Sequence, residues 1–342
     1  MGKIVCFGEV MMRLAPPGVE RFGQCTSLGM TFGGAEANVA VSLANFDHEV
    51  SFVTRLPQNP FADAAIAQLR GAGVDTTDIA RGGERIGIYF LEKGASMRPS
   101  KVVYDRKYSA IAAANPGDFD WNTILEGAEW LHTTGITPAL SQGTAALTLQ
   151  AAATARELGL TVSCDLNYRK NLWTHEQAAT TMGELCRNVD VLIANEEDAH
   201  DVFGITAKGA DIDGGHLDAA GYADIARQLA ERFGCKYVAF TLRESRSAND
   251  NGWSGLLYNA ATDSYVQSRK YDIHIVDRVG GGDSFGAGLI HALSGGKDDE
   301  AAINFAVAAS ALKHTIEGDF NRVSVAEVNA LAGGSVSGRV QR

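Results

Sequence analysis

The chain has 342 residues, 45% of them hydrophobic and 21% charged, which excludes disorder, collagen and coiled coil as the main state. Its 30 basic and 41 acidic side chains leave a net charge of −11. That argues against a nucleic-acid binder or a ligand of anionic membranes, which need a basic face, but not against a small anionic substrate gripped by a few arginines.

In chain order, residues 3–7 read as a buried strand, 35–46 as a helix, 50–54 as a strand and 60–70 as a helix. Residues 11–31 are rich in Gly and Pro, with short apolar pieces. Residues 86–91 and 101–107 read as two strands joined by a Gly/Pro/Ser loop. Further strands are predicted at 130–133, 162–166, 189–194 and 237–242, separated by helices at 144–158, 176–186 and 222–233. A strand at 272–276 and helices at 283–293 and 300–314 follow, and 333–342 reads as a frayed tail. This alternation predicts an α/β fold, a mostly parallel sheet flanked by helices on both faces. The pair 86–91 and 101–107 predicts a small antiparallel sheet. It is either a flap over a site at the strand ends or a plain surface hairpin.

The five cysteines, Cys6, Cys25, Cys164, Cys186 and Cys235, form no CxxC pair and are odd in number, against a disulfide framework or a zinc site. The start of the sequence has neither a signal-peptide nor a myristoylation pattern, and no apolar run nears the ~18 residues of a membrane span. A reduced, cytoplasmic enzyme is the expectation.

The most informative stretch is Asp277-Arg278-Val279-Gly280-Gly281-Gly282-Asp283, between a predicted strand and a predicted helix. Three glycines allow a tight turn and the close approach of an anion, and the amides of Gly280–Asp283 at the helix start would meet it. A carboxylate at Asp283 repels phosphate but can take the proton of a hydroxyl attacking a phosphoryl group. The alternative is a glycine turn with a capping Asp. Walker A and dinucleotide fingerprints both fail on spacing. A second glycine turn, Gly33-Gly34-Ala35-Glu36-Ala37-Asn38, opens a helix, so a ligand could lie against Gly34 with Asn38 facing it; a simple strand-to-helix turn is the alternative.

Together the two turns resemble the signatures of the ribokinase-like (pfkB) carbohydrate kinases, and the likeness runs from about residue 3 to 320. Within that family the chain is most similar to the 2-keto-3-deoxygluconate kinases, through 8–14, 33–38, 131–140 and 165–173. The resemblance implies one kinase domain over 1–320, with a small β-sheet lid from about 11–32 and 85–110, and a C-terminal helix and tail over 321–342. It implies that the acid substrate is held by Gly34, Tyr89, Tyr104, Arg106, Ile136 and Arg169, with Tyr89, Tyr104 and Arg106 on the lid. Arg106 and Arg169 could converge on the substrate carboxylate. A neutral sugar would leave them unpaired, at a cost of roughly 1–3 kcal/mol each. ATP with Mg²⁺ is the implied phosphoryl donor, and a homo-oligomer, in some relatives assembled through the lid, the implied state.

Three departures from the family stand out. Its NxxE motif reads Asn195-Glu196-Glu197-Asp198, so Asp198 would reach the metal through water. A threonine-bearing pair after Asp277 is replaced by Arg278-Val279, which weakens any monovalent-cation site. The nucleotide loop reads Thr241-Leu242-Arg243-Glu244 before a polar insertion at 245–252, so that Arg243 would face either phosphate or Glu244. Val307 is expected near the adenine. The function expected is phosphorylation of the terminal hydroxyl of 2-keto-3-deoxygluconate. The alternatives are a fructokinase, a 2-keto-3-deoxygalactonate kinase, a non-catalytic sugar-acid sensor and a nicotinamide dehydrogenase.

Overall fold

The computed structural model describes residues 2–195, 197–207 and 218–335. β1 (Lys3–Phe7) starts the main sheet. The chain then leaves it for β2 (Met11–Ala15) and β3 (Gly29–Gly33), and returns through α1 (Ala35–Asn45) to β4 (Val50–Leu56). α2 (Pro60–Gly71) leads to the edge strand β5 (Ile79–Arg81), and β6 (Gly87–Glu92) and β7 (Lys101–Asp105) leave the sheet again. α3 (Trp121–Ile124), β8 (Ala128–Thr134), α4 (Gln142–Glu157), β9 (Thr161–Asp165), α5 (His175–Leu185) and β10 (Val191–Ala194) follow. Next come α6 (Asp198–Phe203), α7 (Ala219–Phe233), β11 (Tyr237–Ser245), β12 (Asp250–Asn259), β13 (Ser264–Gln267) and β14 (Tyr271–His274). α8 (Gly281–Ser294), α9 (Asp299–Lys313) and α10 (Val325–Ala332) complete the described elements.

The main sheet has the order β13-β12-β11-β10-β9-β8-β1-β4-β5, with β14 also paired to β12. Pairing is parallel from β11 to β5 and antiparallel around β12. Parallel strands covered on both faces must be apolar on both, and β1 is: Ile4 and Cys6 enter one core while Val5 and Phe7 enter the other. α1, α2, α8 and α9 cover the first face; α4, α5 and α7 cover the second. Helix starts follow local chemistry. Asn59 caps α2 ahead of Pro60, Ser141 caps α4 and Thr174 caps α5.

A second sheet, ordered β3-β2-β6-β7, stands apart from the first. The expected antiparallel pair is β6–β7; β2 and β3 form a second antiparallel hairpin, and β2 and β6 pair in parallel and join the two. The polar stretch 245–252 is the tip of the long β11–β12 hairpin. It touches the loop between β6 and β7, where the Ala248 N–H donates to the Ser96 carbonyl at 2.7 Å. Alternation alone did not reveal β12, because Gly252 and Gly255 interrupt its pattern. The predicted C-terminal helix is α10, and the tail beyond residue 335 lies outside the described residues. Among the described residues no helix is long and apolar enough to cross a membrane, and all five cysteines are free.

Candidate active site

A cavity of about 440 Å³ lies where β8, β9, β10 and β11 give way to their loops, with lid residues on its far wall. Crevices at the carboxyl ends of parallel strands are where open α/β sheets bind ligands. The glycine turn before α8 forms one side. Gly280 has φ 82°, and a Cβ there would collide with the Asp319 carbonyl, so only glycine fits. The Gly281 N–H donates to the Arg278 carbonyl at 3.3 Å and so closes the turn itself. That corrects the expectation that every amide from Gly280 to Asp283 meets an anion. Among the described residues the N–H groups of Gly282 and Asp283, in the first turn of α8, have no acceptor.

Asp283 lines this cavity. Its carboxylate accepts a 2.7 Å hydrogen bond from Asn38 Nδ2, so Asn38 orients the carboxylate as well as lining the cavity. Burial pushes Asp283 up to about 6, while Asn38, Arg169 and Lys313 pull it back and Asp319 adds to the rise. Gly34 meets the cavity where a side chain would strike the Glu9 carbonyl. Behind it Glu36 is buried and accepts from the Thr134 and Thr137 hydroxyls at 2.7 and 2.8 Å; burial pushes it up to about 7.

Tyr89, Tyr104 and Arg106 from the second sheet and its end, and Ile136 and Arg169 from the loops after β8 and β9, all line the cavity. Arg106 is already neutralised. Its guanidinium pairs with buried Glu9, whose other oxygen accepts from Ser109 at 2.6 Å. This corrects the expectation of two unpaired arginines. Tyr89 is buried with its hydroxyl donating to Asp319, so its phenol is already engaged. Arg169 differs: among the described residues its one hydrogen bond goes to the Tyr168 carbonyl, at 3.0 Å, and no carboxylate pairs with it.

The loop carrying Arg169 is held from two sides. Asn167 takes φ 39°, which asparagine tolerates better than most residues, and its N–H donates to Asp165. Asp198 accepts from the Tyr168 N–H at 3.1 Å through one oxygen and from the Asn195 N–H at 3.1 Å through the other. Both oxygens of Asp198 thus serve main-chain amides, and the residue is absent from the cavity wall. The geometry gives it a loop-holding role. Asn195, Glu197 and Asp165 do reach the wall. Burial, together with Asp198 and Asp283, holds Asp165 well above the usual carboxylate range.

On the opposite side Thr241, Arg243 and Arg278 line the cavity. Glu244 pairs with Lys270 and Arg246, which leaves Arg243 without an ion pair among the described residues. Arg278 donates to the Ala248 carbonyl at 3.0 Å; burial and the nearby Arg243 lower its pKa. Two like charges held together mark a place for an anion. Trp253 adds a buried Nε1–H with no acceptor among the described residues. Val307 lies in the core of α9 and not on this wall, which corrects its expected place beside an adenine. Sequence reasoning missed Arg278 as a site residue although it sits inside the C-terminal signature. It also missed Trp253, which nothing local distinguishes from a core aromatic.

The model of the pfkB family carbohydrate kinases matches residues 1–321. A 2-dehydro-3-deoxygalactonokinase of Haloferax volcanii is 33% identical over 98% of each chain. A 2-dehydro-3-deoxygluconokinase of Thermoproteus tenax is 26% identical over 93% of this chain and 90% of its own. The crystal structure of a 2-dehydro-3-deoxygluconokinase from Thermotoga maritima superposes with a TM-score of 0.93, is 50% identical, and is matched over 98% of this chain and all of its own. With these likenesses spanning nearly its whole length, the chain belongs to the pfkB family of carbohydrate kinases.

Proposed function

We propose that the chain transfers the γ-phosphoryl group of ATP to the terminal hydroxyl of 2-keto-3-deoxygluconate, giving ADP and 2-keto-3-deoxy-6-phosphogluconate. The observation that carries this reading is Arg169, a guanidinium with no ion pair among the described residues, lining the same cavity as Asp283. A planar carboxylate on the substrate would complete Arg169 with two charge-assisted hydrogen bonds and hold the far end of the molecule. Asp283, oriented by Asn38, takes the proton as the hydroxyl oxygen attacks phosphorus. The amides of Gly282 and Asp283 meet the charge growing on the transferred group, and Arg243 and Arg278 meet the triphosphate. Mg²⁺ arriving with ATP would neutralise phosphate oxygens; Asp165 and Glu197 on the wall are hard oxygen donors of the type it takes. The lid keeps water from the phosphoryl group.

A second reading, the C4-epimeric 2-keto-3-deoxygalactonate, is favoured by the Haloferax volcanii relative. The 50% identity to a 2-dehydro-3-deoxygluconokinase supports the first. An ADP-coupled competition assay with both acids and fructose tests them. The expected result is a higher kcat/KM for 2-keto-3-deoxygluconate than for its epimer, and far less for fructose. Equal turnover of fructose would overturn the role given to Arg169.

A further inference from the structure

Lys313 ends α9 with none of its surface exposed, which is rare for a lysine. Its ammonium donates to three main-chain carbonyls: Asp277 at 3.2 Å, Ile316 at 3.4 Å and Gly318 at 2.6 Å. None of the three is an anion. The charge is balanced at one remove by the Asp277 and Asp319 carboxylates, which Arg13 bridges at 2.5 and 2.6 Å. The same end of α9 grips the glycine turn twice more. The Asp277 N–H donates to the His314 carbonyl at 3.3 Å, and Ser310 Oγ donates to the Gly281 carbonyl at 2.7 Å. A Cβ on Gly280 would lie 3.3 Å from Lys313 Cε. The ammonium therefore sits directly behind the turn that bears Asp283.

We propose that Lys313 is a positioning residue for phosphoryl transfer: its ammonium is a cation built into the chain, filling a cage of carbonyls and holding the glycine turn in its working shape. Rings of carbonyls are also how proteins hold dissolved potassium, so an emptied cage should accept such an ion. While Lys313 fills the cage, activity owes nothing to dissolved monovalent cations. The proposal rests on the reading of Asp283 and its turn as the phosphoryl-transfer machinery.

The test is Lys313→Met, assayed in potassium, ammonium or tetramethylammonium chloride at one ionic strength. Its kcat should fall about a hundredfold in tetramethylammonium, the size of a lost preorganised donor. Potassium or ammonium should restore most of that loss, while the unsubstituted enzyme responds to neither. Loss without restoration, or no loss, overturns the proposal. If the Met variant does not fold, Lys313→Gln decides: its amide can still donate in the cage but carries no charge. A lowered kcat with the sugar KM unchanged supports the proposal, and an unchanged kcat overturns it. Asp283→Asn run in parallel separates the two failures. Near-normal turnover there sinks the underlying reading, whereas an inactive Asp283→Asn beside an unrestored Lys313→Met sinks only the built-in cation.

Discussion

At Asp283 two demands meet: a base must be ionised to work, yet burial favours its neutral form. The balance leaves it at about 6, with Asn38, Arg169 and Lys313 resisting the rise. Asp283 is ionised above that value and protonated below it, so kcat/KM should fall as pH drops through about 6. Asn38→Ala removes a hydrogen bond that favours the ionised form, which should carry the acidic limb to higher pH; pH–rate profiles of the two proteins measure the displacement. A limb that stays put would assign it to another group, and Glu36, at about 7, is the neighbour that overlaps. Asp283→Asn should lower kcat by ~10²–10⁴ while leaving the melting temperature nearly intact. Arg169→Ala should raise KM for the sugar acid about tenfold to a hundredfold, the worth of a charge-assisted contact of roughly 1.5–3 kcal/mol, with little change for fructose. An equal loss with fructose would mean that the arginine serves only the loop.

Loops and strand ends do the aligning. The 165–169 loop depends on Asp198, which lies on α6 and accepts two main-chain N–H groups. Asp198→Ala should therefore lower kcat/KM for the sugar acid and leave the Mg²⁺ concentration at half-maximal rate unchanged. A large rise in that concentration would restore the metal role. The lid is fixed at its base in the same manner. Arg13 on β2 joins Asp277 and Asp319, and Tyr89 on β6 donates to Asp319, all of them buried. Arg13→Met takes away the cation that bridges two buried carboxylates, leaving Asp277 only Lys93 at 3.8 Å as an ion-pair partner among the described residues, and thermal or denaturant unfolding should show a loss of about 3–5 kcal/mol. A loss within ordinary surface range would mean that the base of the lid opens to water.

Over the whole molecule the cavity is assembled from segments far apart in sequence. Asn38 meets Asp283, Glu9 meets Arg106 and Arg13 meets Asp319, each pair separated by about a hundred residues or more. The sequence by itself determined the parallel sheet and its helical cover, because apolar runs of strand length between helical periods have few other ways to be buried. It also determined the two glycine turns, because steric demands on φ and on close approach are local. Partnership was decided only in three dimensions. Arg106 and Arg169 are the same residue type near the same cavity, but Glu9 pairs directly with one, while the other makes no ion pair among the described residues. Asp198 and Asp283 are both acidic residues near helix starts, but main-chain amides claim the first while the second faces the cavity. Charge and hydrogen-bond capacity are written in the residue; whether they are already satisfied depends on neighbours that only the folded chain brings within reach.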